Sequence, residues 1–279
     1  MSRNFLSEIV ARKRQVVERL RASSAADALH AQALKARKNA APHRLRQALE
    51  TASPELKIIA EFKRASPSVG MIRSDLSPAD VARHYERGGA WAISVLTDEE
   101  YFGGSIDDLS AVRSSTLLPV LRTDFIVDSI QIYEAAIAGA DAVLLIVAAL
   151  GDRSLGELRN VAEDELGLDT LIEVHSSEEL HRALNAGGKI IGVNNRDLQT
   201  FEVSLGTSER LISEAPADCV MSSESGLRSP EQLYYLHGLG FRGFLIGEQL
   251  MRAKNPETAL RDLLVSANDP QMMSRASRR

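Results

Sequence analysis

The chain has 279 residues, 44% of them apolar and 25% charged, with a formal net charge of −5. That length suits one large α/β domain with a sizeable core, and the acidic balance gives no global field for nucleic acid or an anionic membrane. The longest apolar run, Ala140 to Leu150, contains Asp141 and falls short of the roughly 18–20 residues of a membrane span, and Met1 to Phe5 hold no apolar signal core, so a cytoplasmic protein is expected.

Residues 4–22 space Leu6, Ile9, Val10, Val16, Val17 and Leu20 as one face of a helix, with Arg and Lys around the rest. Residues 23–40 predict a second, Ala-rich helix, and Pro42 ends the segment. Basic side chains outnumber acidic ones across residues 1–50, a bias that reads either as a solvated face or as a lure for an anionic ligand. From residue 56 short apolar runs alternate with amphipathic stretches. The runs are Ile58–Phe62, Trp91–Leu96, Leu118–Leu121, Ala142–Val147, Thr170–Val174, Ile190–Val193, Val220–Met221 and Phe244–Ile246. The stretches predict helices over Pro78–Arg87 behind a Ser77 cap, Asp128–Ala138, Ser154–Glu163, Ser177–Ala186, and Pro230–Leu239 behind a Ser229 cap. Gly89, Gly139, Gly187 and Gly240 stand where several of these should stop.

Eight strand-helix units at this spacing predict a closed (β/α)8 TIM barrel with an N-terminal helical extension. A doubly wound open sheet is the rival, disfavoured by the count and by the absence of a Gly-x-Gly-x-x-Gly turn after the first strand. The expected division is an extension over 1–45, a barrel over 46–267 and a disordered tail over 268–279. The single cysteine, Cys219, has no internal partner and reads as a small core residue.

In such a barrel chemistry sits where strands run into their following loops. Glu61 and Lys63, two residues apart at the end of a buried run, should share one face with Phe62 on the other. The second strand runs into Thr97-Asp98-Glu99-Glu100-Tyr101-Phe102-Gly103-Gly104-Ser105, read as a loop with a flexible tip. The third ends at Arg122-Thr123-Asp124-Phe125, the fifth at Glu173-Val174-His175, the sixth at Asn194-Asn195-Arg196-Asp197, the seventh at Glu224-Ser225-Gly226 and the eighth at Gly247-Glu248. Singly, each has a plainer meaning: Glu173 as a buried paired acid, Asn194 as a turn former, Ser225-Gly226 as a tight turn. Together they place carboxylates, an ammonium, an amide and a guanidinium on one rim, with small residues after the last two strands suited to a phosphate. No His/Cys/Asp cluster points to a metal, and neither a metal nor another cofactor is expected.

These strand ends resemble the indole-3-glycerol phosphate synthase family over nearly the whole chain. The run Ile59-Ala60-Glu61-Phe62-Lys63-Arg64-Ala65-Ser66-Pro67-Ser68 carries the likeness most specifically, with Tyr101-Phe102-Gly103-Gly104-Ser105, Gln131-Ile132-Tyr133-Glu134-Ala135, Gly192-Val193-Asn194-Asn195-Arg196-Asp197-Leu198 and Glu224-Ser225-Gly226 beside it. The resemblance implies a lyase of tryptophan biosynthesis. It would close 1-(2-carboxyphenylamino)-1-deoxyribulose 5-phosphate to indole-3-glycerol phosphate with loss of carbon dioxide and water. It further implies Glu173 as acid/base, Glu61 with Lys63 as a proton-transfer pair, and Asn194 on the reacting hydroxyl. Phe102 and Phe125 would face the anthranilate ring, Arg196 and Ser66 its carboxylate, and Ser225, Gly226, Gly247 and Glu248 the phosphate. The only partner expected is this small molecule, with the chain monomeric or loosely associated with other enzymes of the pathway. One position departs. Where the family carries a general-acid lysine, this chain has Thr123, which cannot supply an ammonium; losing one positioned acid costs roughly 10²–10⁴ in rate. Arg122 has the wrong parity to replace it, so Lys63 is the expected stand-in. Two alternatives stand beside the enzyme reading: a non-catalytic paralogue that keeps the pocket, and another phosphosugar barrel such as phosphoribosylanthranilate isomerase. The long N-terminal segment and the first-strand motif disfavour the latter.

Overall fold

The apolar runs pair as parallel strands that close on themselves. The computed structural model describes residues 5–22, 26–197, 200 and 202–265. Within them β1 (Ile58–Phe62), β2 (Ala92–Leu96), β3 (Val120–Thr123), β4 (Ala142–Ile146), β5 (Asp169–Val174), β6 (Ile190–Asn194), β7 (Val220–Glu224) and β8 (Gly243–Ile246) form a closed barrel. Each strand pairs with its neighbours in sequence, and β1 closes the circle on β8. Every residue of these strands is buried, as expected where helices cover the outside and side chains fill the inside.

Strand parity sorts the apolar residues into two layers. Ile59, Leu121, Leu144, Leu171, Ile190 and Val220 point inward and meet Leu45 and Leu49 of a short helix, α3 (Arg44–Glu50), after α1 (Phe5–Ala22) and α2 (Ala26–Arg37). Ile58, Ala60, Phe62, Val143, Ile172 and Phe244 point outward and pack under the surrounding helices. So α3 plugs the floor of the barrel, and a division at 45/46 runs through it. The tail assigned to 268–279 lies outside the described residues.

The helices follow their end signals. Ser77 Oγ accepts from the Asp80 N–H at 3.1 Å to start α4 (Pro78–Gly88), and Gly89 at φ 96° ends it. After α5 (Glu99–Phe102), α6 (Ile106–Arg113), α7 (Ser129–Ile137), α8 (Asp152–Asn160), α9 (Ser177–Asn185) and α10 (Gly206–Ile212), a capping box of Ser229 and Gln232 starts α11 (Pro230–Leu239). The chain then runs through α12 (Glu248–Arg252) and α13 (Pro256–Val265).

Three stretches differ from the sequence reading. The helix expected to reach Glu163 ends at Asn160 and continues as a π turn over Val161–Glu165, which brings the Glu163 carboxylate onto the Thr170 hydroxyl. The tip expected to be flexible after β2 is the ordered turn α5, capped by Asp98 and closed by Gly103 at φ 65°. Gly104 is wedged there, since a Cβ on it would lie 2.0 Å from the Leu96 carbonyl oxygen. A small hairpin pairing Ala65–Ser66 with Gly70–Met71 follows β1, an addition to the eight strands expected.

Part of the basic bias of the N-terminal segment is spent on ion pairs within the chain. Lys13 of α1 bridges Asp98 at 2.9 Å and Asp124 at 2.7 Å, and Arg21 reaches Asp128 at 2.8 Å. Beneath the barrel, Arg44 and Arg113 each reach Asp141 at 2.8 Å. The Lys13 and Arg21 contacts hold α1 across the loops after β2 and β3, on the face where the strands end.

Candidate active site

The inward parity that fills the barrel with Leu and Ile turns polar at the strand ends. Glu61 follows Ile59, Glu173 follows Leu171, Asn194 follows Gly192 and Glu224 follows Ser222, all facing a cavity of about 650 Å³ at the mouth. Every site residue singled out from the sequence lines this cavity.

Glu61 and Lys63 form an ion pair of 2.6 Å, and Tyr85, buried outside the barrel, donates to the Glu61 carbonyl oxygen at 3.0 Å. Across the cavity Asn194 Nδ2 donates to Glu173 Oε2 at 3.1 Å, while Asn194 Oδ1 accepts from the Arg196 N–H at 3.0 Å. The amide therefore orients the carboxylate and starts the loop that carries Arg196. Burial raises the Glu173 pKa; His175 and the Asn194 bond oppose that, and the negative fields of Glu179 and Glu61 add to it.

Thr123 points into the cavity, with its hydroxyl 2.7 Å from that of Ser94. Arg122 points outward. Its guanidinium donates to Thr97 Oγ1 and Asp124 Oδ2, both at 3.0 Å, and to the Gln131 carbonyl at 2.5 Å. Among the described residues Lys63 is the lysine that lines the cavity.

Phe102 and Phe125 pack against each other with ring centroids 6.1 Å apart, an apolar wall at one side of the mouth. Ser66, whose hydroxyl lies 3.3 Å from that of Ser68, lines the same opening. At the other side Ser225 (φ 64°) and Gly226 (φ 75°) are consecutive left-handed residues. The Asn195 amide braces that turn through the Glu224 and Ser225 carbonyl oxygens at 3.0 and 3.2 Å. Gly247 begins α12, and Glu248 pairs with Arg252 at 3.0 Å. A side chain at 247 would meet Glu61 first, because its Cβ would lie 2.3 Å from Glu61 Oε2. The glycine there makes room for the carboxylate, not only for a ligand.

Three contributions had no role assigned from the sequence. Glu224 is fully buried beside Glu173, and its Oε1 has no hydrogen-bond partner among the described residues. Burial, then Glu173 and Glu61, push its pKa well above the ordinary carboxylate value, with Lys63 only partly opposing. Its signal was available: an acid at the inward parity of a strand end, as at 61 and 173. Arg228 and Arg252 add cations at the Ser225–Gly226 side. Phe5, Leu6 and Ile9 of α1 also line the cavity, a role that their helical spacing alone does not separate from packing on the barrel.

A closed (β/α)8 barrel whose strand ends gather carboxylates, an ammonium, an aromatic wall and a left-handed Ser-Gly turn around one cavity has the form of a barrel enzyme with a pocket for a small molecule. No described helix is long and apolar enough to cross a membrane. A sequence profile described as indole-3-glycerol phosphate synthase matches residues 6–263, and the chain belongs to that family. It is accordingly a carbon–carbon lyase of the carboxy-lyase class. The indole-3-glycerol phosphate synthase of Carboxydothermus hydrogenoformans is 50% identical over 226 residues, 80% of this chain and 85% of its own length. That of Zymomonas mobilis subsp. pomaceae is 45% identical over 264 residues, 94% of this chain and 98% of its own. Among solved structures, thiamine phosphate pyrophosphorylase from Pyrococcus furiosus superposes with a TM-score of 0.58 at 15% identity, over 83% of this chain and 98% of its own. The KGPDC of Streptococcus mutans gives 0.54 at 17%, over 80% and 99%. Both show the shared barrel.

Proposed function

We propose that the cavity divides the family's reaction between its two sides. The aromatic ring of 1-(2-carboxyphenylamino)-1-deoxyribulose 5-phosphate lies against the Phe102–Phe125 pair, its carboxylate toward Arg196 and Ser66, and its phosphate toward Ser225, Gly226 and Gly247. Arg228, added from the geometry, reinforces the phosphate end. Glu248, paired with Arg252, contributes through its backbone at most. The ring carbon bearing the carboxylate attacks the C2′ carbonyl. Carbon dioxide and then water leave, and indole-3-glycerol phosphate is formed. Glu173, oriented by Asn194, moves protons between the C2′ oxygen, which departs as water, and C1′, which gives one up. The Glu61–Lys63 pair serves the later proton transfers, and Asn194 also holds the departing hydroxyl.

The observation that carries this reading is the common inward parity of Glu61, Glu173, Asn194 and Glu224 around one cavity. Thr123 makes the enzyme slow: a hydroxyl engaged with Ser94 neither donates a proton readily nor neutralises the developing alkoxide. Lys63 substitutes for it in part. Glu224 is the second candidate, favoured by the protonated state that its burial between carboxylates promotes. The protein acts in the cytoplasm as a monomer or in loose association, and the extension over 1–45 packs on the barrel, with its helix α1 over the mouth.

Glu173→Gln tests the assignment. Its kcat should fall by roughly 10² or more with KM little changed, since the group acts in the chemical steps. An unchanged kcat would remove Glu173 from the mechanism. A parent protein that binds substrate without turnover, and stays inactive as Thr123→Lys, would instead be a ligand-binding paralogue.

A further inference from the structure

Behind Glu173, outside the cavity lining, the chain builds a second arrangement of charges. β5 ends at Val174, and the next residue, His175, turns back toward the acid. Glu179, in the first turn of α9, accepts from the His175 backbone N–H at 2.7 Å and lies 3.2 Å from its Nδ1. That carboxylate fixes both the backbone and the ring. The other ring nitrogen, Nε2, lies 3.5 Å from Glu173 Oε1, an ion-pair separation rather than a hydrogen bond. It is buried and has no hydrogen-bond partner among the described residues. Glu173 thus has two different neighbours: the Asn194 amide on Oε2 and the imidazole on Oε1.

We propose that His175 is a positioning residue for the reaction, and that its imidazolium, held in place by Glu179, keeps the Glu173 carboxylate ionised in a pocket that favours the neutral acid. The inference rests on the reading of Glu173 as the reacting acid/base. The need is evident from the charges around it. Glu61 from β1 and Glu224 from β7 face the same space, and Lys63 is already engaged with Glu61 at 2.6 Å. Glu173 is fully buried with these carboxylates near, so a proton would settle on it unless a cation stood by.

The imidazole is suited to stay charged. Burial works against its positive form, but the Glu179 hydrogen bond and the fields of Glu173, Glu179 and Asp197 outweigh burial and raise its pKa above the ordinary value. Glu179 is in turn held ionised: burial would neutralise it, but the His175 contacts and the nearby Arg182 lower its pKa below the usual carboxylate value. The order is carboxylate, imidazolium, carboxylate, with the outer acid anchored on a helix and the inner acid facing substrate. The His175 ring need not touch substrate to act. It sets how much of Glu173 is ionised at a given pH.

The test compares parent, His175→Gln, Glu179→Gln, the double variant and Glu173→Gln. Steady-state kcat and KM are measured from acid to neutral pH. Carboxyl carbon NMR of 13C-labelled glutamate follows Glu173 itself, its resonance assigned by its loss in Glu173→Gln. Removing a cation within a few ångströms should raise the Glu173 titration point by about 1–2 pH units. In His175→Gln the acid limb of kcat then moves up by the same amount. Activity drops about tenfold or more below the limb, recovers above it, and KM is unchanged. Glu179→Gln moves both readouts the same way by less, and the double variant matches His175→Gln. A limb and a resonance that stay put in folded His175→Gln overturn the inference, as does a rate loss equal at every pH. Should His175→Gln not fold, Glu179→Gln alone decides by the same two readouts. Glu173→Gln with the parent kcat would sink the underlying reading. Glu173→Gln inactive with an unmoved limb would sink only the role of His175.

Discussion

Thr123→Lys is the perturbation to which the proposed mechanism is most exposed. The position faces the cavity from the end of β3, so a lysine there would extend its ammonium into a space of about 650 Å³ rather than into packed core. Two costs are visible. The 2.7 Å bond between Thr123 and Ser94 is lost, about 1 kcal/mol of stability. A second ammonium also enters beside Lys63. Against these, Glu61 and Glu173 face the same cavity, and Lys63 is the one lysine that lines it among the described residues, so the added ammonium finds carboxylate partners there. One positioned general acid is worth roughly 10²–10⁴ in rate, or about 3–5 kcal/mol of barrier at about 1.36 kcal/mol per decade. The expected gain in kcat therefore exceeds the loss in stability. The assay follows the indole chromophore formed from the carboxyphenylamino substrate for parent, Thr123→Lys, Thr123→Val, Lys63→Met and the Thr123→Lys/Lys63→Met pair. Thr123→Val should leave the residual rate within a few-fold. Lys63→Met should abolish it, and Thr123→Lys should raise it by roughly 10² or more. A folded Thr123→Lys protein that binds substrate but gains nothing, with Thr123→Val inactive, would refute the argument and make the threonine hydroxyl itself the acid.

Other outcomes follow from particular contacts. Lys13→Met leaves Asp98 and Asp124 without their shared cation and should destabilise the protein by about 3 kcal/mol, read from chemical denaturation; an unchanged midpoint would mean that α1 is not pinned there. For Glu224 the folded pKa lies well above the unfolded one, so the folded state binds the extra proton and stability falls as pH rises above about 4.3, the unfolded pKa. Glu224→Gln should then match the parent in thermal melts below about pH 4 and exceed it at neutral pH; equal melting points throughout would show that the carboxyl is not strained. Asp124 has the opposite sign. Burial is outweighed by Arg122 and Lys13, its folded pKa is depressed, and its contribution is lost only as pH falls from about 4 through the folded pKa; Asp124→Asn should lose most at neutral pH and least in acid. Gly226→Val forces a β-branched residue to φ 75° with its Cβ 2.2 Å from Val203 Cγ1, so KM for the phosphorylated substrate should rise much more than KM for its dephosphorylated analogue; equal rises would move the phosphate elsewhere.

The strands are legible because a buried parallel strand reads as a short apolar run and its parity assigns faces without any tertiary knowledge. That logic separates Glu61 from Phe62 and sends Arg122 away from the cavity. It also holds the information for Glu224, which the adjoining Ser225-Gly226 turn signal masks. Legibility ends where position depends on distant contacts. The face of α1 bearing Phe5, Leu6 and Ile9 has the same spacing whether it packs on a flank or roofs the mouth; the Lys13 bridges to Asp98 and Asp124 and the Arg21–Asp128 pair decide between them. The α5 turn is hidden because Gly103-Gly104 is also the composition of a loose loop; its order comes from the Asp98 cap and from Leu96 pressing on Gly104. The pairing of His175 with Glu173 involves residues two apart, but their approach depends on Glu179 four positions further on.

The glycines at 192 and 247 have consequences for how such a protein can evolve. A Cβ at 192 would lie 2.0 Å from Glu224 Oε1, and one at 247 would lie 2.3 Å from Glu61 Oε2. Neither backbone is left-handed, so conformation alone does not demand glycine at either place. Each glycine is the imprint of an acid on the adjacent strand, and the two positions of each pair are epistatic. While the glutamate stands, drift at its glycine is closed. Once the acid shortens to aspartate or is lost, alanine fits at 192, and at 247 it needs a shift of a few tenths of an ångström from the residue-61 Cβ 3.0 Å away; restoring the glutamate afterwards requires two changes rather than one. Loss of either acid therefore works as a ratchet, and a sibling sequence with a side chain at 192 or 247 would mark a lineage that has already left this chemistry behind.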